Sequence, residues 1–155
     1  MSWRLRPATW QDAYALWIWA NDPETRAGSG HRLEIGWADH VRWLEARVAV
    51  PDALVLVAEA AEGQPVGTIR FETGDGWSRA RLSYVVAPEA RGGGWGRRLL
   101  EAGVTECRRR HPQTAIEAEV WPNNARSLHL FRDLGWPEQP SDRGTWLFGA
   151  GREGA

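Results

Sequence analysis

Hydrophobic and polar positions recur along the chain with two periods, about two and about 3.6, and the switches between them mark its elements. Trp3-Arg4-Leu5-Arg6 alternates with period two and Pro7 stops it, which predicts a short strand. Ala13, Leu16, Trp17 and Ala20 then recur at helical spacing behind Thr9 and Asp12, a capping box with a shorter acid, and Asn21-Asp22-Pro23 predicts the end of that helix. The stretch through Arg26, Gly28, Ser29, Gly30 and His31 reads as a loop with two glycine hinges. A second helix is predicted from about Trp37 to Val48, with Val41, Leu44 and Val48 on its apolar side. The apolar run Leu54–Ala58 has the pattern of a strand covered on both faces. Turns at Glu62-Gly63-Gln64-Pro65 and Gly74-Asp75-Gly76 lead into two further strands, Val66–Thr73 and Arg79–Ala87. After a glycine loop, Leu99, Leu100, Gly103, Val104 and Cys107 define a helix whose last turn carries Arg108-Arg109-Arg110, where cations suit the dipole, and His111-Pro112 closes it. Ala115–Trp121 predicts a strand, Ala125–Leu134 a helix stopped by Gly135, and Gly144–Phe148 a last strand, with room for one short strand around Trp136.

Strand–helix–strand crossovers in the second half predict a mixed α/β sheet with helices on both faces, a single domain over residues 1–148 and a disordered tail at 149–155. With 155 residues and a formal net charge of −1, no strong field draws the chain to nucleic acid or to an anionic membrane. All 19 basic residues are arginine. The single cysteine, Cys107, forbids an intrachain disulfide and fits a reducing cytoplasm. No stretch has the length of a membrane span, and the first residues lack the apolar core of a signal peptide. The 11 tryptophans are expected as core or interface fillers, because their apolar area dominates packing. No grouping of His, Cys, Asp and Glu has metal spacing, and no G-x-S-x-G elbow is present.

The chemistry of the chain gathers at Val85-Val86-Ala87-Pro88-Glu89-Ala90-Arg91-Gly92-Gly93-Gly94-Trp95-Gly96-Arg97. A strand, a glycine loop and a helix start together make a phosphate cradle, because the first helical N–H groups have no internal partner and glycine lets a ligand approach the backbone. The dinucleotide pattern G-x-G-x-x-G fails at Leu99, and the P-loop pattern fails because the chain has no lysine. What remains, Arg91-x-x-Gly94-x-Gly96 behind Val-Val-Ala-Pro-Glu, resembles the acetyl-CoA pyrophosphate loop of the GNAT superfamily of N-acetyltransferases. Val66-Gly67-Thr68-Ile69-Arg70-Phe71, Leu82-Ser83-Tyr84-Val85-Val86-Ala87-Pro88 and Asn124-Ala125-Arg126-Ser127-Leu128-His129-Leu130-Phe131-Arg132-Asp133-Leu134-Gly135-Trp136 are similar to that superfamily's other blocks, in the same order.

The resemblance implies a single domain on a mostly antiparallel, twisted, mixed sheet of six to seven strands. It implies direct transfer of acetyl from acetyl-CoA to a primary amine, with no metal and no covalent intermediate. The pyrophosphate is expected on the amides of Gly92, Gly93, Gly94, Trp95, Gly96 and Arg97, with charge from Arg91 and Arg97. Val85 or Val86 offers a backbone N–H to the thioester carbonyl, and Asn124 and Ser127 reach the pantetheine arm while Asn124 also caps the last helix. Phe131 is expected among the CoA-binding residues too, but it takes the place where many members put a proton-donating tyrosine, and Arg81 the place of a strand carboxylate. Glu72 is therefore the first candidate for the base, with Tyr84, Glu119 and His129 as the others.

A narrower resemblance, in Trp19-Ala20-Asn21-Asp22-Pro23-Glu24-Thr25-Arg26 and Ile35-Gly36-Trp37-Ala38-Asp39-His40-Val41-Arg42-Trp43-Leu44, is to the pseudaminic-acid type of these enzymes, which acetylate nucleotide-activated amino sugars. It implies acceptor contacts from Trp19, Asn21, Arg26, Ser29, His31 and His40. Acetylation of protein N-termini or other amines, and acyl-CoA sensing without turnover, are the competing readings. A small-molecule amine is the expected partner of a monomer or homodimer, with neither nucleic acid nor membrane.

Overall fold

The structure, a computed structural model, describes residues 2–30 and 33–151. Strand β1, Arg4–Pro7, leads through a 3-10 turn at Trp10–Asp12 into α1, Ala13–Ala20, then α2, Pro23–Gly28, and α3, Trp37–Ala49. Three antiparallel strands follow: β2, Ala53–Glu59, β3, Pro65–Thr73, and β4, Arg79–Val86. Helix α4, Trp95–Arg110, crosses to β5, Ala115–Val120; then come α5, Ala125–Asp133, β6, Glu138–Pro140, and β7, Trp146–Gly151.

Among the described residues, seven strands join one sheet in the order β1-β2-β3-β4-β5-β7-β6, and only β4 and β5 run parallel. Side-chain alternation gives the sheet two cores. Ile69, Phe71, Leu82 and Ile116 face Leu99, Leu100 and Cys107 of α4 and Phe131 of α5. On the other face Val55 and Val57 meet Leu16 and Trp19 of α1 and Leu44 of α3. Helix α4 lies close on β3 because Gly103 opposes Ile69: a Cβ there would meet Ile69 Cδ1 at 2.7 Å.

Three local expectations need correction. The loop predicted after Pro23 begins as α2, because Pro23 occupies the first helical turn, where its missing N–H costs nothing, and Asp22 caps it by accepting from the Thr25 N–H. Thr9 and Asp12 do form their capping box, but it opens the 3-10 turn ahead of α1. The last strand extends through Gly151, pairing with Ile116, so Gly149–Gly151 belong to the sheet. Of the tryptophans only Trp19 is fully buried; Trp10 is 71% exposed. Among the described residues no helix is long and apolar enough to cross a membrane.

Candidate active site

The parallel pairing of β4 with β5 ends at Leu82 and Ala118, although β4 continues to Val86 and β5 to Val120. The two strands part there and leave a gap in the middle of the sheet. Ala87 N–H donates to Val66 O at 2.8 Å, toward β3, so backbone alternation turns the Val86 N–H the other way, into the gap. A cavity of about 830 Å³ runs through this gap. Among the described residues, five arginines (Arg26, Arg70, Arg81, Arg91 and Arg126) and three carboxylates (Glu24, Asp39 and Glu119) line it.

At one end lies the glycine loop. Gly92 and Gly94 hold φ of 84° and 80°, a region that disfavours any side chain, and nothing stands within 4 Å of where a Cβ would be at either. Gly94 caps α4 without a side-chain hydrogen bond, so the helix presents open backbone N–H groups to the cavity. Gly96 serves packing instead: its Cβ would meet Leu130 Cδ2 at 3.1 Å, so α5 sits tightly against the start of α4. Gly92, Gly94, Trp95 and Gly96 line the cavity, whereas Gly93 does not. Arg91 lines it too, but its guanidinium donates to Asp22 at 2.7 Å, Glu24 at 2.9 Å and Thr25 at 3.1 Å, tying the loop to α2. Burial pushes the Asp22 carboxyl up, and the hydrogen bonds and charge of Arg91 overcome that and hold it below its ordinary value. Arg97 departs from expectation. Its side chain pairs with Asp133 and Glu101 outside the cavity lining, which leaves only its backbone N–H facing the loop.

On the far wall Asn124 Oδ1 accepts from the Ser127 N–H at 3.3 Å and caps α5, while its Nδ2 donates to Gly28 O at 3.4 Å. Ser127 Oγ and the Tyr84 hydroxyl lie 2.8 Å apart. Burial raises the Tyr84 pKa, so the hydroxyl stays protonated at neutral pH. Phe131, 1% exposed, stacks on Phe148 at 5.1 Å and meets Tyr84 edge-on at 6.2 Å.

The first candidate for the base stands elsewhere. Glu72 lies outside the cavity lining, opposite Arg81 in the β3–β4 register, with Arg47 Nε at 2.6 Å and Arg70 Nε at 2.9 Å. Two guanidiniums hold that carboxylate on the surface. Glu119, one residue past the last parallel pair, does line the cavity; it accepts from Thr145 Oγ1 at 2.7 Å and pairs with Arg81 at 3.3 Å and Arg143 at 3.5 Å. Of the three lining carboxylates it alone stands on a strand at the gap. His129 faces a separate shallow depression.

The expected acceptor residues divide. Trp19 is 4% exposed in the core, and Asn21 clamps Ile35 through two hydrogen bonds of 2.9 and 2.7 Å; neither lines the cavity. His40 lines it but donates from Nε2 to Ala13 O at 2.9 Å, and burial lowers its pKa, so it is a neutral tie between α3 and α1. Arg26 and Ser29 line the cavity from α2 and its C-cap. His31 lies outside the described residues. Trp43, Arg70 and Ser83 also line the cavity, although the motifs that contain them gave them no expected role at the site. Their signal was the alternation Thr68-Ile69-Arg70-Phe71-Glu72, a polar face on a strand in the middle of the sheet. Among the described residues no cluster could hold a metal ion.

The loop meets the requirement of a phosphate-bearing ligand. Two glycines in the left-handed region leave open the space a Cβ would fill, at the free N-terminus of a 16-residue helix. The strand gap then offers room and a backbone donor to the arm that follows. The acetyltransferase (GNAT) family model matches residues 10–136. No curated protein matches the sequence. Among solved structures, a ribosomal-protein-alanine N-acetyltransferase from Brucella melitensis is 31% identical over 94% of this chain and 96% of its own, with a TM-score of 0.75. A spermidine N-acetyltransferase from Vibrio cholerae, in complex with CoA and spermine, is 16% identical over 95% and 92%, with a TM-score of 0.82. An N-acetyltransferase from Staphylococcus aureus Mu50 is 18% identical over 97% and 99%, with a TM-score of 0.79. The parted strands, the bare helix start and the match along most of the sequence converge on one assignment: the chain belongs to the GNAT family of acetyltransferases and uses acetyl-CoA to acetylate an amine.

Proposed function

We propose that the acceptor is the primary amine of a small molecule, an amino sugar or a nucleotide-linked amino sugar, seated between α2, α3 and the polar face of β3 and β4. The single observation carrying this reading is that the cavity runs past the strand gap to a recess lined by Arg26, Ser29, Trp43, Arg70 and Ser83. An indole beside hydroxyl and guanidinium donors matches the apolar face and hydroxyl edge of a sugar ring.

Acetyl-CoA, when bound, supplies the thioester carbon to which the amine nitrogen bonds and the thiolate that leaves. The amides from Gly92 to Arg97 hold its pyrophosphate. The Val86 N–H donates toward the acyl oxygen, where charge develops. An amine with a lysine-like pKa of about 10.4 arrives protonated at neutral pH, so a base has to take its proton. Glu119 takes it through a water, since its carboxylate stands at the edge of the gap. The Tyr84 hydroxyl, positioned by Ser127, gives its proton to the thiolate and so fills the role that Phe131 cannot.

A second reading has its own support: the 31% identity with the Brucella melitensis enzyme favours the N-terminal amine of a protein as acceptor. One experiment separates the two. Purified protein is offered acetyl-CoA with amino sugars, nucleotide-linked amino sugars and peptides beginning with alanine, and thiol release and product mass are measured. Turnover on a sugar amine at least tenfold above any peptide is expected; turnover confined to peptides overturns the first reading and establishes the second.

A further inference from the structure

We infer that the acceptor carries an anionic group, phosphate or carboxylate, which Arg26 and Arg70 grip while its amine faces Glu119 and the strand gap. This deepens the small-molecule reading and rests on it.

Both arginines line the cavity, Arg26 from α2 and Arg70 from β3. Arg26 is aimed rather than loose: its Nε donates to Ala20 O at 2.6 Å, at the end of α1. Among the described residues no carboxylate pairs with it, and burial, then the like charge of Arg70, push its pKa below the ordinary arginine value. Arg70 lies over the Trp43 ring at 4.9 Å and shares Glu72 with Arg47, so two guanidiniums divide one carboxylate. Two neighbouring guanidiniums, part-buried and undercompensated, repel one another. An anion with two or more oxygens, bridging both forks, turns that repulsion into charge-assisted hydrogen bonds.

The lining carboxylates cannot supply the missing charge. Glu24 pairs with Arg91 and Arg126, Asp39 with Arg42, and Glu119 with Arg81 and Arg143. A polycationic amine would enter a lining that has, among the described residues, five arginines against three carboxylates, each of the carboxylates engaged. The recess therefore selects against bare polyamines and for amines whose own negative charge lies a short distance from the nitrogen.

The test is calorimetric titration of the CoA-saturated full chain with glucosamine, glucosamine 6-phosphate, UDP-glucosamine, glutamate and spermidine. At least one anionic amine is expected to bind tenfold or more tightly than glucosamine and spermidine. Which one does so separates a sugar phosphate, a nucleotide and an amino carboxylate as the source of the charge. Arg26→Met and, independently, Arg70→Met reduce that preference to threefold or less, with melting temperature and CoA affinity read alongside as a check on folding. Equal or undetectable binding of all five amines, tighter binding of spermidine, or a preference that survives in both variants overturns the inference and leaves the family assignment standing. Failure of CoA itself to bind overturns the reading beneath it, and the inference with it.

Discussion

Tyr84 stands on a central strand with its hydroxyl 2.8 Å from Ser127, while Phe131 fills the core between Tyr84 and Phe148. The helix position serves packing, and the proposed proton donor therefore stands on the strand. Removing only that hydroxyl, in Tyr84→Phe, should lower kcat about 100-fold and change the KM for acetyl-CoA less than threefold, as loss of a general acid does. An unchanged kcat takes Tyr84 out of the reaction. Glu119→Gln should lower kcat/KM at pH 7 and recover toward wild type only as pH approaches about 10.4, where a large share of a lysine-like amine arrives unprotonated and needs no base. Glu72→Gln, by loosening Arg70, should raise the acceptor KM and leave the shape of that profile unchanged. His40 gives a pH dependence of another kind. Burial lowers its pKa, so as pH falls below 6.5 the unfolded chain takes up a proton that the folded chain refuses. Stability is then full above pH 6.5 and declines below it; the melting temperature of the wild type should fall more steeply between pH 7 and pH 5.5 than that of His40→Gln.

At the level of elements, the placing of the glycine loop beside the gap depends on α4 lying close to the sheet, because that helix begins at the loop. Gly103 sets the approach: a Cβ there would meet Ile69 Cγ2 at 2.9 Å as well as Cδ1 at 2.7 Å, and the former is near the root of the side chain and cannot swing clear. Gly103→Val should cost about 1–3 kcal/mol, the range for overpacking a filled core, seen as a lower denaturant midpoint at unchanged slope. Most of this architecture was legible beforehand, because Leu54–Ala58 and the heptad-like run Leu99 to Cys107 carry strong periods. Helix α2 was not. Asn21-Asp22-Pro23 ends one helix and starts the next within three residues, and period alone does not separate a stop from a fresh N-cap. The same blind spot hid the roles of Trp19 and Asn21, since an indole in the core and an amide clamping Ile35 look, in one dimension, like residues waiting for a ligand.

Across the whole molecule, charge is distributed unevenly. The chain as a whole is at −1, yet among the described residues five arginines and three carboxylates line the cavity. The glycine loop could be read as a candidate phosphate cradle because such a cradle is built from backbone amides, which follow from local sequence. The recess proposed for the acceptor could not, because Arg26, Trp43 and Arg70 meet only once α2, α3 and β3 are folded together. Long-range attraction from a nearly neutral chain is weak, so any salt dependence of ligand binding has to arise within the cavity, where low dielectric walls concentrate the field. Raising ionic strength from 0.05 to 0.5 M shortens the screening length from above 10 Å to a few ångströms, about the width of such a cleft. CoA affinity should therefore weaken by about tenfold across that range, whereas pantetheine, which lacks the phosphates, should change less than twofold. Equal salt dependence for the two ligands would place the grip on the arm rather than on the phosphates, and would remove the glycine loop and its arginine surroundings from the centre of binding.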